Sequence, residues 1–116
     1  MEDILKKALD FSNYSQTLNL QRRLIREKLE LKLIYGAHGG IFKIDQSLIA
    51  FVQMLLDNGR SENIPLIDFN NNPILITDLT KFRDDILDMY FSATTEYFNE
   101  YEKIKKSRSV EKLVDL

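Results

Sequence analysis

From residue 78 to residue 106 apolar positions recur at a helical period, with no proline or glycine to interrupt them. At 100° per residue, Phe82, Ile86, Tyr90, Ala93, Tyr97, Tyr101 and Ile104 fall on one stripe. Leu87, Phe91 and Phe98 lie beside it, so the apolar arc covers roughly half the cylinder. The pattern predicts one long C-terminal helix capped by Thr77 or Asp78. Acids come early (Asp84, Asp85, Asp88) and bases late (Lys103, Lys105, Lys106, Arg108), the order that complements a helix dipole. Such a helix is about 43 Å long, whereas a compact chain of this size has a radius of gyration of only about 13 Å. Part of the aromatic surface is therefore expected to meet another copy or another protein, with Tyr90, Phe91, Tyr97, Phe98 and Tyr101 as the contact residues.

Upstream, residues from Asp3 to about Asp10 suit a short helical turn, and Ser15 is placed to cap a longer helix running from Gln16 to Tyr35. In that segment Leu20, Leu24, Lys28, Leu31 and Tyr35 share a line flanked by Leu18, Ile25 and Leu29. Length favours the helix, while the alternation of Leu29, Leu31, Leu33 and Tyr35 with Glu30 and Lys32 is the rival signal of a half-buried strand. Residues 36–40 read as a loop and Ile41 to Ile44 as a short buried strand. Asp45 caps the next helix, with Ile44 positioned to staple onto Ile49. Its inner face of Leu48, Ile49, Phe51, Val52, Leu55 and Leu56 is apolar enough to be nearly surrounded, and Gly59 suits the left-handed closing residue. Ile64 to Asp68 and Pro73 to Thr77 read as strands joined by residues 69–72, their prolines marking exposed edges or strand starts. A cap at Ser109 would begin a last turn through Val110, Leu113 and Val114. The expected fold is a single α+β domain over residues 1–116: a small three-stranded antiparallel sheet packed against three to four helices.

Composition narrows the function classes. The chain has 116 residues, 44% hydrophobic and 29% charged, enough for one real core. A net charge of −2 gives no overall attraction to phosphates or anionic lipids, so any such binding needs a local patch. Without cysteine, disulfides and thiolate metal sites are excluded, which fits a reducing compartment. No apolar run reaches the length of a membrane span and the N-terminus does not read as a secretion signal, so the cytoplasm is the expected location.

Candidate chemistry is sparse. His38 is the only histidine, so a nucleophile system would hinge on it alone and a metal site would have to be completed by carboxylates. The glycines around it run into a strand rather than a helix start, which argues against a phosphate cradle. Asp84, Asp85 and Asp88 have the spacing of a magnesium-binding run, but a solvated face near the helix N-terminus accounts for them more simply. No cofactor is expected and no catalytic residue stands out. Two basic clusters, Arg22, Arg23 and Arg26 in the first helix and Lys105, Lys106 and Arg108 in the last, are the candidate nucleic-acid contacts. Glu27 and Glu30 interrupt the first and Glu96, Glu100 and Glu102 precede the second, as in salt-laced helix surfaces.

Three stretches carry a family resemblance. The run Gly39-Gly40-Ile41-Phe42-Lys43-Ile44-Asp45 through Val52, the hairpin from Pro65-Leu66-Ile67-Asp68 to Asn72-Pro73-Ile74-Leu75-Ile76, and Tyr90-Phe91-Ser92-Ala93 through Glu111 together resemble a small protein family of T-even-like tailed bacteriophages. That family carries the label head vertex assembly chaperone. The resemblance implies a non-enzymatic factor that helps start the capsid at its portal vertex, with capsid or portal components as partners and self-association as its simplest form.

Overall fold

A computed structural model describes residues 2–106, so Arg108 and the expected turn after Ser109 lie outside the described residues. Seven elements follow in order: α1 (Glu2–Lys32), β1 (Ile34–Ala37), β2 (Gly40–Lys43), α2 (Gln46–Asp57), β3 (Glu62–Ile67), β4 (Pro73–Asp78) and α3 (Leu79–Lys106). They contribute to two compact units, one of Glu30–Thr94 and one of Met1–Leu29 with Thr95–Leu116.

The Glu30–Thr94 unit holds the larger core. Phe42, Ile44, Val52, Leu66, Ile76, Leu79, Phe82 and Ile86 are buried together, with Tyr35, Leu48, Ile49 and Tyr90 among the side chains packed around them. Every element of the unit supplies its inward-facing positions: alternate residues from the strands, one stripe from each helix. Phe82 is central, its ring 5.8 Å from Tyr35 in a stacked arrangement and 5.1 Å from Phe42 edge-on.

The sheet departs from expectation. Among the described residues the strands form two separate two-stranded antiparallel sheets, β1 with β2 and β3 with β4, in place of one three-stranded sheet, alongside three helices. The cause lies in residues 34–40. The α1 helix stops at Lys32, and a strand from Ile34 turns back at His38 and Gly39, pairing Tyr35 with Phe42 and Ala37 with Gly40. Both turn residues have positive φ, 55° and 82°, as a two-residue hairpin turn of the mirror-image type requires. Gly36 and Ala37 are thus strand rather than loop. With β1 on one side, β2 meets only the turn of the second hairpin on the other: Phe69 N–H donates to the Ile41 carbonyl at 2.7 Å, and Ile41 N–H donates to Asp68 Oδ2 at 3.1 Å.

Asp68 organises that turn. Its Oδ1 accepts from Asn70 and Asn72 N–H at 3.0 and 2.8 Å, and its backbone N–H donates to the Asn72 carbonyl. The side chain is only 6% exposed, and these backbone N–H donors, Asn72 and Ile41 foremost, hold its carboxyl below the usual range. Because Asp68 and Asn72 are a hydrogen-bonded pair, the alternation of the ladder turns the amide edges of the Ile67–Pro73 and Pro65–Leu75 pairs outward. Each outer flank of the hairpin therefore carries one proline.

The helix ends follow local chemistry. Asp45 Oδ1 accepts from Leu48 N–H at 2.7 Å to start α2. Its end closes with Gly59 at φ 78°, Gly59 N–H donating to Leu56 O and Arg60 N–H to Leu55 O, the paired bonds of a Schellman motif. Asp78 Oδ1 accepts from Lys81 N–H at 3.1 Å to start α3.

In the other unit α1 from Tyr14 to Lys28 runs antiparallel to the last part of α3. Ile25 and Ile104 are buried, with Tyr14, Leu18, Tyr97 and Tyr101 around them. α1 is continuous through Ser12, Asn13 and Ser15, so no cap falls at Ser15. Each of these residues in a helix interior costs less than about 0.7 kcal/mol relative to Ala, less than packing Tyr14 and Leu18 returns.

Candidate functional site

A concave surface in the Glu30–Thr94 unit lies between α2 and α3. It is an open groove of about 440 Å³ lined by Gln46, Ile49, Ala50, Gln53, Leu87, Tyr90 and Phe91. Hydrogen bonds between the two helices bound it at both ends. Gln46 Nε2 donates to Tyr90 Oη at 3.1 Å, and Arg83 Nη1 donates to Gln53 Oε1 at 3.2 Å. The pairing of 46 with 90 and of 53 with 83 makes the helices antiparallel and puts seven residues, about 10.5 Å of helix, between the two closures.

The arginine closure continues on both sides. Gln53 Nε2 donates to Asp57 Oδ1 at 2.8 Å, and Arg83 Nη2 donates to Asp84 Oδ1 at 3.0 Å, so a chain of polar contacts holds α2 to α3 at that end. The floor is apolar. Phe91 stands at the wall with 63% of its surface exposed, its ring edge-on to Tyr90 at 6.4 Å.

Met54, one turn along α2 from the lining residue Ala50, is 50% exposed, while Phe51, 47% exposed, points about 150° away from Gln46 and Gln53 at 100° per residue. The sequence reading places Phe51 on a nearly surrounded helix; the structure leaves this side of α2 open, because Val52, Leu48, Ile49, Leu55 and Leu56 alone meet the core. From Gln46 to Leu56 the helix has no charged residue, a signal that marks this face in a chain that is 29% charged.

The five aromatics expected as contact residues divide by unit and by type. Tyr90 and Phe91 line the groove. Tyr97 and Tyr101 are half-buried against Ile25 and Ile104 with ring centroids 6.4 Å apart, while Phe98 is exposed. α2 supplies the part of the site that the sequence reading does not name: Gln46, Ile49, Ala50 and Gln53.

Among the nucleic-acid candidates, Arg22 lies 5.9 Å from the Tyr101 ring centre, Arg23 pairs with Glu27 at 3.8 Å, and Arg26 has an interaction of its own. Lys28 bridges Glu96 and Glu100 at 2.8 and 2.7 Å. Lys105 and Lys106 are exposed at the end of α3. Arg22 and Arg23 are thus engaged by an aromatic and an acid of the same unit.

His38 sits at the β1–β2 turn, its ring 6.5 Å from Phe82. Asp85 accepts from Tyr35 Oη at 3.1 Å; burial first, and this carboxylate second, push the phenol above its ordinary value. Among the described residues no three His, Asp or Glu side chains gather as metal ligands. Among the same residues no helix is long and apolar enough to cross a membrane. The chain matches no protein-family model, no curated protein and no solved structure.

Proposed function

We propose that this chain is a non-enzymatic protein-binding factor that docks a partner on the α2–α3 groove and the adjoining face of α2. The observation that carries this reading is the coincidence of an open apolar groove with Phe91 exposed at its wall and Met54 exposed one turn along α2 from the lining residue Ala50. Large rings and methionine at a desolvated centre are the residue types on which protein contacts concentrate their free energy. The lining has one titratable side chain, the Tyr90 phenol, already bonded to Gln46, which suits adhesion better than proton transfer. Under the phage resemblance the partner is a capsid or portal component, and that assignment rests on the three sequence stretches alone.

The test is a paired substitution. Phe91→Ser and Met54→Ser should leave the far-UV circular dichroism spectrum intact while abolishing photo-crosslinks from a benzophenone placed at Ala50. Absence of any crosslink from Ala50 in the parent chain would show that the partner sits elsewhere, and crosslinks that persist unchanged in both variants would show that Phe91 and Met54 do not hold it.

A further inference from the structure

The rim of the groove carries a charge sign that its floor does not. Asp45 precedes the lining residue Gln46, Asp57 bonds to the lining residue Gln53, and Asp84 and Asp88 sit one helical turn before Leu87 and Phe91 on α3. One base, Arg83, faces the same groove, and it is bonded to Gln53 and Asp84. Among the described residues Asp88 has no cation beside it. The imbalance extends over the unit: residues 30–94 contain nine Asp and Glu against five Lys and Arg. An apolar trough edged by carboxylates attracts cations to its margins and apolar side chains to its centre.

From this we infer that the occupant of the groove is a basic amphipathic helix, with apolar side chains at positions i and i+4 and Lys or Arg on their flanks; the inference rests on the docking reading above. Length agrees with chemistry. The span of about 10.5 Å between the two closures accepts two successive turns of a partner helix, whose i and i+4 side chains stand about 6 Å apart. Side chains entering there displace water from Ile49, Ala50 and Leu87, and the lysine stems cover Phe91 while their ammonium groups reach the carboxylates.

The experiment uses the whole chain and three stapled helical peptides of about 15 residues. They share one Leu stripe and differ only in their flanking residues, which are Lys, Ser or Glu. Binding is read by fluorescence anisotropy and calorimetry. The expected order is Lys over Ser over Glu, with the Lys advantage shrinking as NaCl rises from about 0.05 to about 0.5 M. Asp88→Lys, an exposed position whose change leaves the core intact, should weaken the Lys peptide by roughly 3- to 10-fold and leave the Ser peptide unchanged. Equal binding of all three peptides, lost on Phe91→Ser, overturns the basic occupant while the docking site stands. Failure of every peptide to bind overturns both. Dimers that dissociate on Phe91→Ser put a second copy in the groove and overturn the inference as well.

Discussion

Two phenylalanines nine residues apart on α3 should respond oppositely to truncation. Phe82 is 1% exposed, stacked on Tyr35 and edge-on to Phe42. Removing its ring leaves a cavity that the two aromatic neighbours cannot fill, and Phe82→Ala should cost about 4 kcal/mol. Phe91 is 63% exposed. A fully enclosed ring hides roughly 150–250 Å², so the covered third of Phe91 is about 70 Å². At about 25 cal/mol/Å² that is under about 2 kcal/mol, and Phe91→Ala should cost about 1 kcal/mol once the retained β-carbon is counted. Urea unfolding followed by far-UV circular dichroism and by tyrosine fluorescence measures both. With a slope near 2 kcal/mol/M the midpoints should differ by about 1.5 M. Coincident traces from the two probes are needed before a single free energy is assigned to each variant. Phe82→Leu covers the case in which the alanine variant does not fold: it keeps most of the volume, loses both ring contacts, and should still cost about 1–2 kcal/mol. Phe91→Leu should be close to neutral. If the two positions prove equally costly, Phe91 is enclosed and the groove is not a surface.

A β-carbon at Gly40 would lie 2.6 Å from Ile74 Cγ1 and 2.9 Å from its Cδ1. Gly40→Ala should therefore cost about 1–3 kcal/mol, and in an Ile74→Ala background the penalty should largely vanish in a double-mutant cycle. Asp68 has a folded carboxyl value below its unfolded one, so its contribution is complete above about pH 4 and is lost as pH falls through the lowered value. Asp68→Asn should destabilise at pH 7, where an amide N–H would face Ile41 N–H, and the gap to the parent should narrow in acid unfolding curves. Lys28 bridges two half-exposed glutamates, so Lys28→Met should cost less than about 1 kcal/mol at low salt and nothing measurable in about 1 M NaCl.

The α3 helix was legible because its burial obeys periodicity residue by residue: Phe82, Ile86, Ala93 and Ile104 are buried, while Phe91 and Phe98, beside the stripe, are not. The caps at Asp45, Asp78 and Gly59 and the β3–β4 hairpin were legible for a similar reason, since each uses a side chain whose local chemistry admits few alternatives. The first hairpin was not. Leu29 to Tyr35 satisfies both periods, and the break between helix and strand falls at Leu33 without proline or glycine to mark it. His38 in the first turn position further conceals the hairpin, because asparagine, aspartate or glycine usually signals it. Reading β1 as helix or loop left β2 to pair with the later strands, and the three-stranded sheet followed. Half of the groove was visible as the aromatic run on α3. The α2 half was hidden because a short helix with apolar residues almost all round does not reveal which side is left uncovered.

The prolines on the second hairpin bear on how this protein survives at high concentration. Ile67, Phe69 and Leu75 present greasy surface next to open strand flanks, the combination from which fibrils grow. A stray strand arriving at either flank finds a ring where an amide proton should be, at Pro65 on one side and Pro73 on the other. Changing both prolines to threonine would restore the missing donors with little effect on the core, and the resulting protein should seed thioflavin-positive aggregates that its parent does not.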